Sequence, residues 1–138
     1  MKDPETLSDE GMDVPEQFTG EQVVTFTDFD IKEKPTGFWL LLDFRGPNNE
    51  RASWNGNFHK APDTDGRKQN HAISWRGLSE FLRAVGFADG DIPKQISAKF
   101  VATTLNGLIS VNGNDQRVKA LIGTDEKGYT VASRFKAA

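Results

Sequence analysis

The 138-residue chain contains no cysteine. That excludes disulfide frameworks, thiol nucleophiles and every cysteine-ligated zinc or iron–sulfur centre. Histidine is nearly absent too: His59 and His71 are the two in the chain, with no metalloprotease-type spacing between them. Asp63 and Asp65 lie between these histidines, but Asp63-Thr64-Asp65-Gly66 lacks the remaining ligands of a calcium loop, so the grouping reads as a solvated loop. Nucleophile-elbow, phosphate-loop and dinucleotide-binding glycine patterns are all missing. No enzyme activity, cofactor or metal is therefore expected. The longest strongly apolar run, Phe38 to Leu42, is five residues, against the roughly 18 of a membrane helix. Met1-Lys2-Asp3-Pro4-Glu5 has no apolar export region. No membrane partner is expected, and the expected location is the cytoplasm (the host's, if the chain is phage-encoded).

What is present is ordinary for one folded domain: 36% hydrophobic, 27% charged and 10% aromatic residues, with 13 glycines for turns. The net charge of −3 would speak against a nucleic-acid partner, but it is unevenly spread. Residues 1–21 hold one base and seven acids, leaving 16 bases and 13 acids for the other 117 residues. The chain reads as an acidic, flexible arm (1–19), a mildly basic domain (20–123) and a tail (124–138) with at most one short edge strand near Tyr129. Acids beside a basic site compete with phosphate, so the arm is either a solubilising leader or an intramolecular decoy or partner hook.

From Gly20 the pattern is β. Gln22 to Ile31 changes parity at Thr27-Asp28, the mark of a bulge. After the Lys34-Pro35-Thr36-Gly37 turn, a strand from Phe38 to Arg45 puts Phe38, Leu40, Leu42 and Phe44 on one face, and Trp39, Leu41, Asp43 and Arg45 on the other. A third strand, Arg51 to His59, alternates in the same way. A polar loop from Lys60 to Asn70 follows. The period then changes to helical, with Ser74 as N-cap, Trp75, Leu78, Leu82 and Val85 on one stripe, and Gly86 as terminator. Ile96 to Leu105 reads as a fourth strand, turning at Asn106-Gly107 into a return over Leu108 to Asn112. A last strand covers Gln116 to Ile122. The expected fold is all-β with one helix (74–85): a five-stranded, coiled antiparallel OB-like barrel with the helix between strands 3 and 4. Such a fold offers a sheet face and two loops to oligonucleotides or sugars.

Single strands are held by cations along the backbone and aromatic rings under the bases. Parity nominates Trp39 on the second strand, Arg51 and Asn55 on the third, Lys99 on the fourth and Arg117 and Lys119 on the last. Lys60, Arg67 and Lys68 would close over the strand from the long loop. Trp54, Phe58 and Trp75 are assigned to the core.

The stretch EQFTGEQVVTFTDFDIKEKPTGFWLLLDFRG, followed by RASWNGNFHK and AISWRGLSEFLRAVGF, resembles a group of small bacteriophage OB-fold single-stranded-DNA-binding proteins. The shared order is an acidic leader, Gly20-Glu21 opening a strand, a hairpin, and an aromatic–asparagine strand (Trp54, Asn55, Asn57, Phe58). A helix ending Ala84-Val85-Gly86 and a basic Arg117-Val118-Lys119 strand complete it, over about residues 16–122. The resemblance implies a sequence-tolerant single-stranded-DNA-binding protein of phage-type replication or recombination, with replication or recombination proteins as partners and a homodimer left open. Bacterial single-strand binders carry their acidic tip at the C-terminus, whereas Arg134-Phe135-Lys136 here is basic, so partner recruitment does not carry over. Two other readings of the barrel stand beside this one: a protein-interaction or inhibitor module working through the acidic arm, and a carbohydrate-binding barrel with Trp39 or Trp54 as sugar platform.

Overall fold

The computed structural model describes residues 18–110 and 116–138. Residues 1–17 of the expected arm, and Val111 and Asn112 of the expected returning strand, lie outside the described residues. Five strands, β1 (Gly20–Lys34), β2 (Gly37–Arg45), β3 (Arg51–His59), β4 (Gln116–Thr124) and β5 (Thr130–Ala137), close into a ring in the order β1-β2-β3-β5-β4. Two helices, α1 (Asp65–Ala84) and α2 (Ala98–Ser110), both lie between β3 and β4. Among the described residues, no helix is long and apolar enough to cross a membrane.

The alternation of β1 to β3 is kept, and the bulge falls between Phe26 and Asp28, where the parity changes. Inward residues Val24, Phe26, Leu40, Leu42, Phe44, Ala52 and Phe58 are buried, together with Val118, Ala120 and Ile122 of β4. Phe26, Phe44, Phe81 and Phe135 pack with ring centroids 5.2 to 5.9 Å apart, so α1 supplies one wall of the core.

Three expectations are corrected and a fourth is extended. The ring is not wholly antiparallel, because β3 meets β5 in parallel at Ser53↔Val131. The short edge strand expected near Tyr129 is the eight-residue β5, which runs on to Ala137. It pairs with β4 from Thr124↔Thr130 to Val118↔Ala137 and buries Ala132 and Phe135. Arg134, at φ 52°, and a register shift between Lys119 and Leu121 break the period of 2 that would have revealed it.

The first helix is longer than its apolar stripe. Thr64 is the N-cap, its Oγ1 accepting from the Arg67 N–H at 3.2 Å. Residues 65–70 are exposed, so hydrophobic period could not mark those turns. Arg67 and Lys68, expected in a loop, are therefore helical. The stop is as expected: Gly86 at φ 108°, with Gly86 N–H to Arg83 O and Phe87 N–H to Leu82 O, makes a Schellman end.

The expected fourth strand is helix α2, and Asn106-Gly107 sits inside it rather than in a hairpin. Alternating Ala98, Phe100 and Ala102 suggested a strand. Val101 and Leu105, at i and i+4, are the residues actually buried, and Ser97 caps the helix by accepting from the Phe100 N–H at 3.1 Å.

Close approach of α1 to β3 depends on two glycines. A Cβ on Gly77 would come within 2.7 Å of the Trp54 indole, and one on Gly56 within 2.8 Å of the Ser74 Cβ. Gly77→Ala, normally a gain of about 1 kcal/mol in a helix, should instead lower stability. Gly66→Ala, where nothing lies within 4 Å, should raise it by up to about 1 kcal/mol. Urea unfolding of both variants checks the opposite signs.

Candidate nucleic-acid interface

Strand pairing places the outward side chains in rows across the sheet. One row runs Arg117 (β4), Thr25 (β1), Arg45 (β2), Arg51 (β3). The next two along β2 are Asp28–Asp43–Ser53 and Asp30–Leu41–Asn55, and the last is Lys32–Trp39–Asn57. A basic row and an aromatic row are thus separated by an acidic band, with Arg45 and Trp39 about 20 Å apart at some 3.3 Å per residue. Arg45 and Arg51 stand directly opposite each other, a like-charge pairing that is unfavourable on a sheet. Asp43 moderates it by accepting from Arg51 Nη2 at 3.3 Å.

The β4–β5 turn completes this face. Asp125 organises it, its Oδ1 accepting from the backbone N–H groups of Lys127 and Tyr129, both at 2.9 Å, and its own N–H donating to Tyr129 O at 2.9 Å. Gly128 takes the left-handed φ of 87° that the turn requires. Tyr129 is left 65% exposed, at the edge of a groove of about 440 Å³ lined by Leu41, Asp43, Arg51, Ser53 and Gly128. An exposed phenol ring on a turn whose backbone is held, lining one groove with a guanidinium, can stack on a flat ring and meet its anion at once.

Of the nominated residues, Trp39, Arg51 and Asn55 share the outer face of β2 and β3, and Arg117 joins the Arg51 row. Trp39 is half-buried, with Lys32 Nζ 5.4 Å from its ring centroid. Lys119 lies one outward step along β4, opposite Lys136 of β5. The others are elsewhere. Arg67 and Lys68 are exposed on α1, and Arg67 pairs with Asp63 at 2.8 Å. Lys99 is on α2, not on a strand beside Trp39. With Lys60 it lines a cleft of about 920 Å³ under the inner side of the β1–β2 hairpin, among Phe29, Ile31, Phe38 and Phe58.

Sequence reasoning passed over Arg45 and Tyr129. Arg45 shares the parity of Trp39, a signal that was there to use. Tyr129 reads as the start of a short edge strand, and its exposure follows from the turn that precedes β5.

The histidines lie at the seam between β3 and α1. Among the described residues, no group of three or more metal-ligating side chains comes together. Instead, Ser74 Oγ accepts from the Asn57 N–H at 2.9 Å, and His71 Nδ1 accepts from the His59 N–H at 3.0 Å. Burial, and then the neighbouring His59, hold the His71 pKa below its usual 6.5. A proton on Nδ1 would abolish that acceptor.

No protein-family model matches the chain, and no curated protein matches it significantly.

His71 also sets a pH dependence. Because its folded pKa is depressed, the unfolded chain takes up the proton first as pH falls. Stability from neutral His71 is complete above pH 6.5 and is lost as pH drops from there through the folded value. The urea midpoint should therefore fall on going from about pH 7.5 to about pH 5.5, above the ordinary carboxylate range. His71→Gln, which keeps an acceptor but cannot titrate, should flatten that fall.

Proposed function

We propose that the chain is a non-enzymatic, sequence-tolerant single-stranded-DNA-binding protein of phage-type replication or recombination, built on an OB-type barrel and working in the cytoplasm. The ring order β1-β2-β3-β5-β4, with the helices between β3 and β4, supports the barrel reading. In that fold the face of strands 2 and 3, flanked by the 1–2 and 4–5 loops, receives oligonucleotides.

The observation that carries the reading is the exposed Tyr129, held on the 4–5 turn beside Arg51 at the end of the arginine row. Bases stack on Tyr129 and, farther along, on Trp39, while Arg45, Arg51 and Arg117 meet phosphates. Asp28 and Asp43 interrupt the track, so few phosphates are neutralised and the salt dependence is moderate. Stacking and phosphate contact carry no base code, hence the tolerance of sequence.

The carbohydrate reading draws on the other half of the same face, where Trp39 is flanked by Asn57, with Asp30 and Asn55 in the next row. Binding of an oligosaccharide with no salt dependence would favour it.

Fluorescence anisotropy of labelled oligo-dT against labelled duplex, at two salt concentrations, tests the proposal. Oligo-dT should bind more tightly than duplex, and more weakly as salt rises. Tyr129→Ala should weaken binding roughly 5- to 150-fold, one stacked base at about 1–3 kcal/mol, with thermal unfolding unchanged. Arg45→Ala with Arg51→Ala should lower the log–log salt slope by about 1.4, two contacts at about 0.7 each. Absence of oligo-dT binding even at low salt would overturn the proposal.

A further inference from the structure

We propose that the cleft under the inner side of the β1–β2 hairpin binds a small organic carboxylate with an apolar, ring-sized body. The site is separate from the nucleic-acid face and does not depend on the function proposed above.

The cleft arises because the hairpin outruns the barrel. Among the described residues, pairing of β1 with β4 ends at Phe26↔Gln116, whereas its pairing with β2 runs on to Lys34↔Gly37. Phe29, Ile31 and Phe38 on the inner side therefore face the end of β3 and the start of α2 across a gap of about 920 Å³. That volume lies in the usual range of small-molecule sites. The walls are firm. Phe38 and Phe58 stack with ring centroids 4.8 Å apart, and the Phe58 ring meets the His71 imidazole edge-on at 5.9 Å. A Cβ on Gly37 would strike the Phe58 carbonyl, so the hairpin end and β3 are held in close contact. With Ile96 and Ala102, these rings make a bed for an apolar body.

The polar groups of the cleft favour an anion. Lys60 and Lys99 are exposed at its edge, and among the described residues neither has an ion-pair partner. The Lys60 N–H donates to Thr36 O at 2.8 Å, which holds that backbone beside the β1–β2 turn. Lys99 sits in the first turn of α2. Two acids also line the cleft, but Asp30 belongs to the outward row with Leu41 and Asn55, which leaves Glu33 against two lysines.

His59 Nε2 is the decisive atom. It is buried and, among the described residues, has no hydrogen-bond partner. Native interiors seldom leave such an atom without a reason. His71 does not relieve it, because His71 Nδ1 is already engaged by the His59 backbone N–H. A ligand carboxylate accepting from His59 Nε2–H, with Lys60 next along the chain, would satisfy the atom while the ligand's apolar body covers the phenylalanines.

Naphthoate, with naphthylmethanol as its uncharged counterpart, tests the site on the full chain. In a chemical-shift titration, naphthoate should move the amides of Phe38, His59, Lys99 and Ala102 and the His59 ring nitrogens, with a Kd of about 1 mM or below. The alcohol should bind about tenfold more weakly. Lys60→Ala with Lys99→Ala, both at exposed positions, should bring naphthoate down to the affinity of the alcohol and leave the alcohol unaffected. Saturating naphthoate should leave oligo-dT affinity unchanged, because Arg51 and Tyr129 lie on the outer face, away from the cleft. Equal binding of acid and alcohol, or wild-type naphthoate binding by the lysine variant, overturns the carboxylate assignment. Shifts that are diffuse or centred on Tyr129, or no binding at about 10 mM, overturn the site. Displacement of oligo-dT overturns its separation from the nucleic-acid face. If oligo-dT fails to bind with or without naphthoate, the proposed function fails and the naphthoate titration alone decides the cleft.

Discussion

The barrel depends on how the free edge of β3 is satisfied. β3 meets β5 at Ser53↔Val131, and beyond that point the N–H groups of Asn57 and His59 turn to α1. A backbone donor left buried without a partner costs about 1–3 kcal/mol. Ser74 and His71, one helical turn apart on α1, accept from the two N–H groups. That requirement fixes the position and rotation of α1 on the barrel. It brings Gly77 against Trp54 and Gly56 against Ser74, and it sends Phe81 into the phenylalanine cluster with Phe26, Phe44 and Phe135.

The consequence for function lies on the opposite side of the sheet. Among the described residues, α1 packs on the edge and the interior of the barrel, and the short 4–5 turn borders the outer face of β2 and β3. There the Asp125 hydrogen bonds set Tyr129 beside Arg51. Under the proposed function, a surface that is aromatic at one end, cationic at the other and acidic between them would hold a strand by a few contacts.

Legibility in the sequence followed burial. β1 to β3, each with one face in the core, show alternation clear enough to locate even the bulge at Thr27. Gly86 marked the end of α1, but its first turns project into solvent and carry no periodic signal. In α2, alanine, valine and threonine fit either period, and burial of Val101 and Leu105 decides for helix. β5 was hidden by its own irregularity at Arg134. The interface suffers accordingly. The outward positions of Trp39, Arg51, Asn55 and Arg117 were readable from the alternation of their strands, Lys99 lies on α2 instead of a strand, and the exposure of Tyr129 follows from the turn before β5.

The most direct test of the interface is a map of amide and indole chemical shifts as unlabelled oligo-dT is added to the isotope-labelled full chain. The account expects the largest changes at Arg45, Arg51, Ser53 and Tyr129, with the Trp39 indole following, and little change at Lys60, Lys99 or Ala102. Shifts concentrated in the cleft beneath the β1–β2 hairpin, with the Tyr129 turn unmoved, would contradict it.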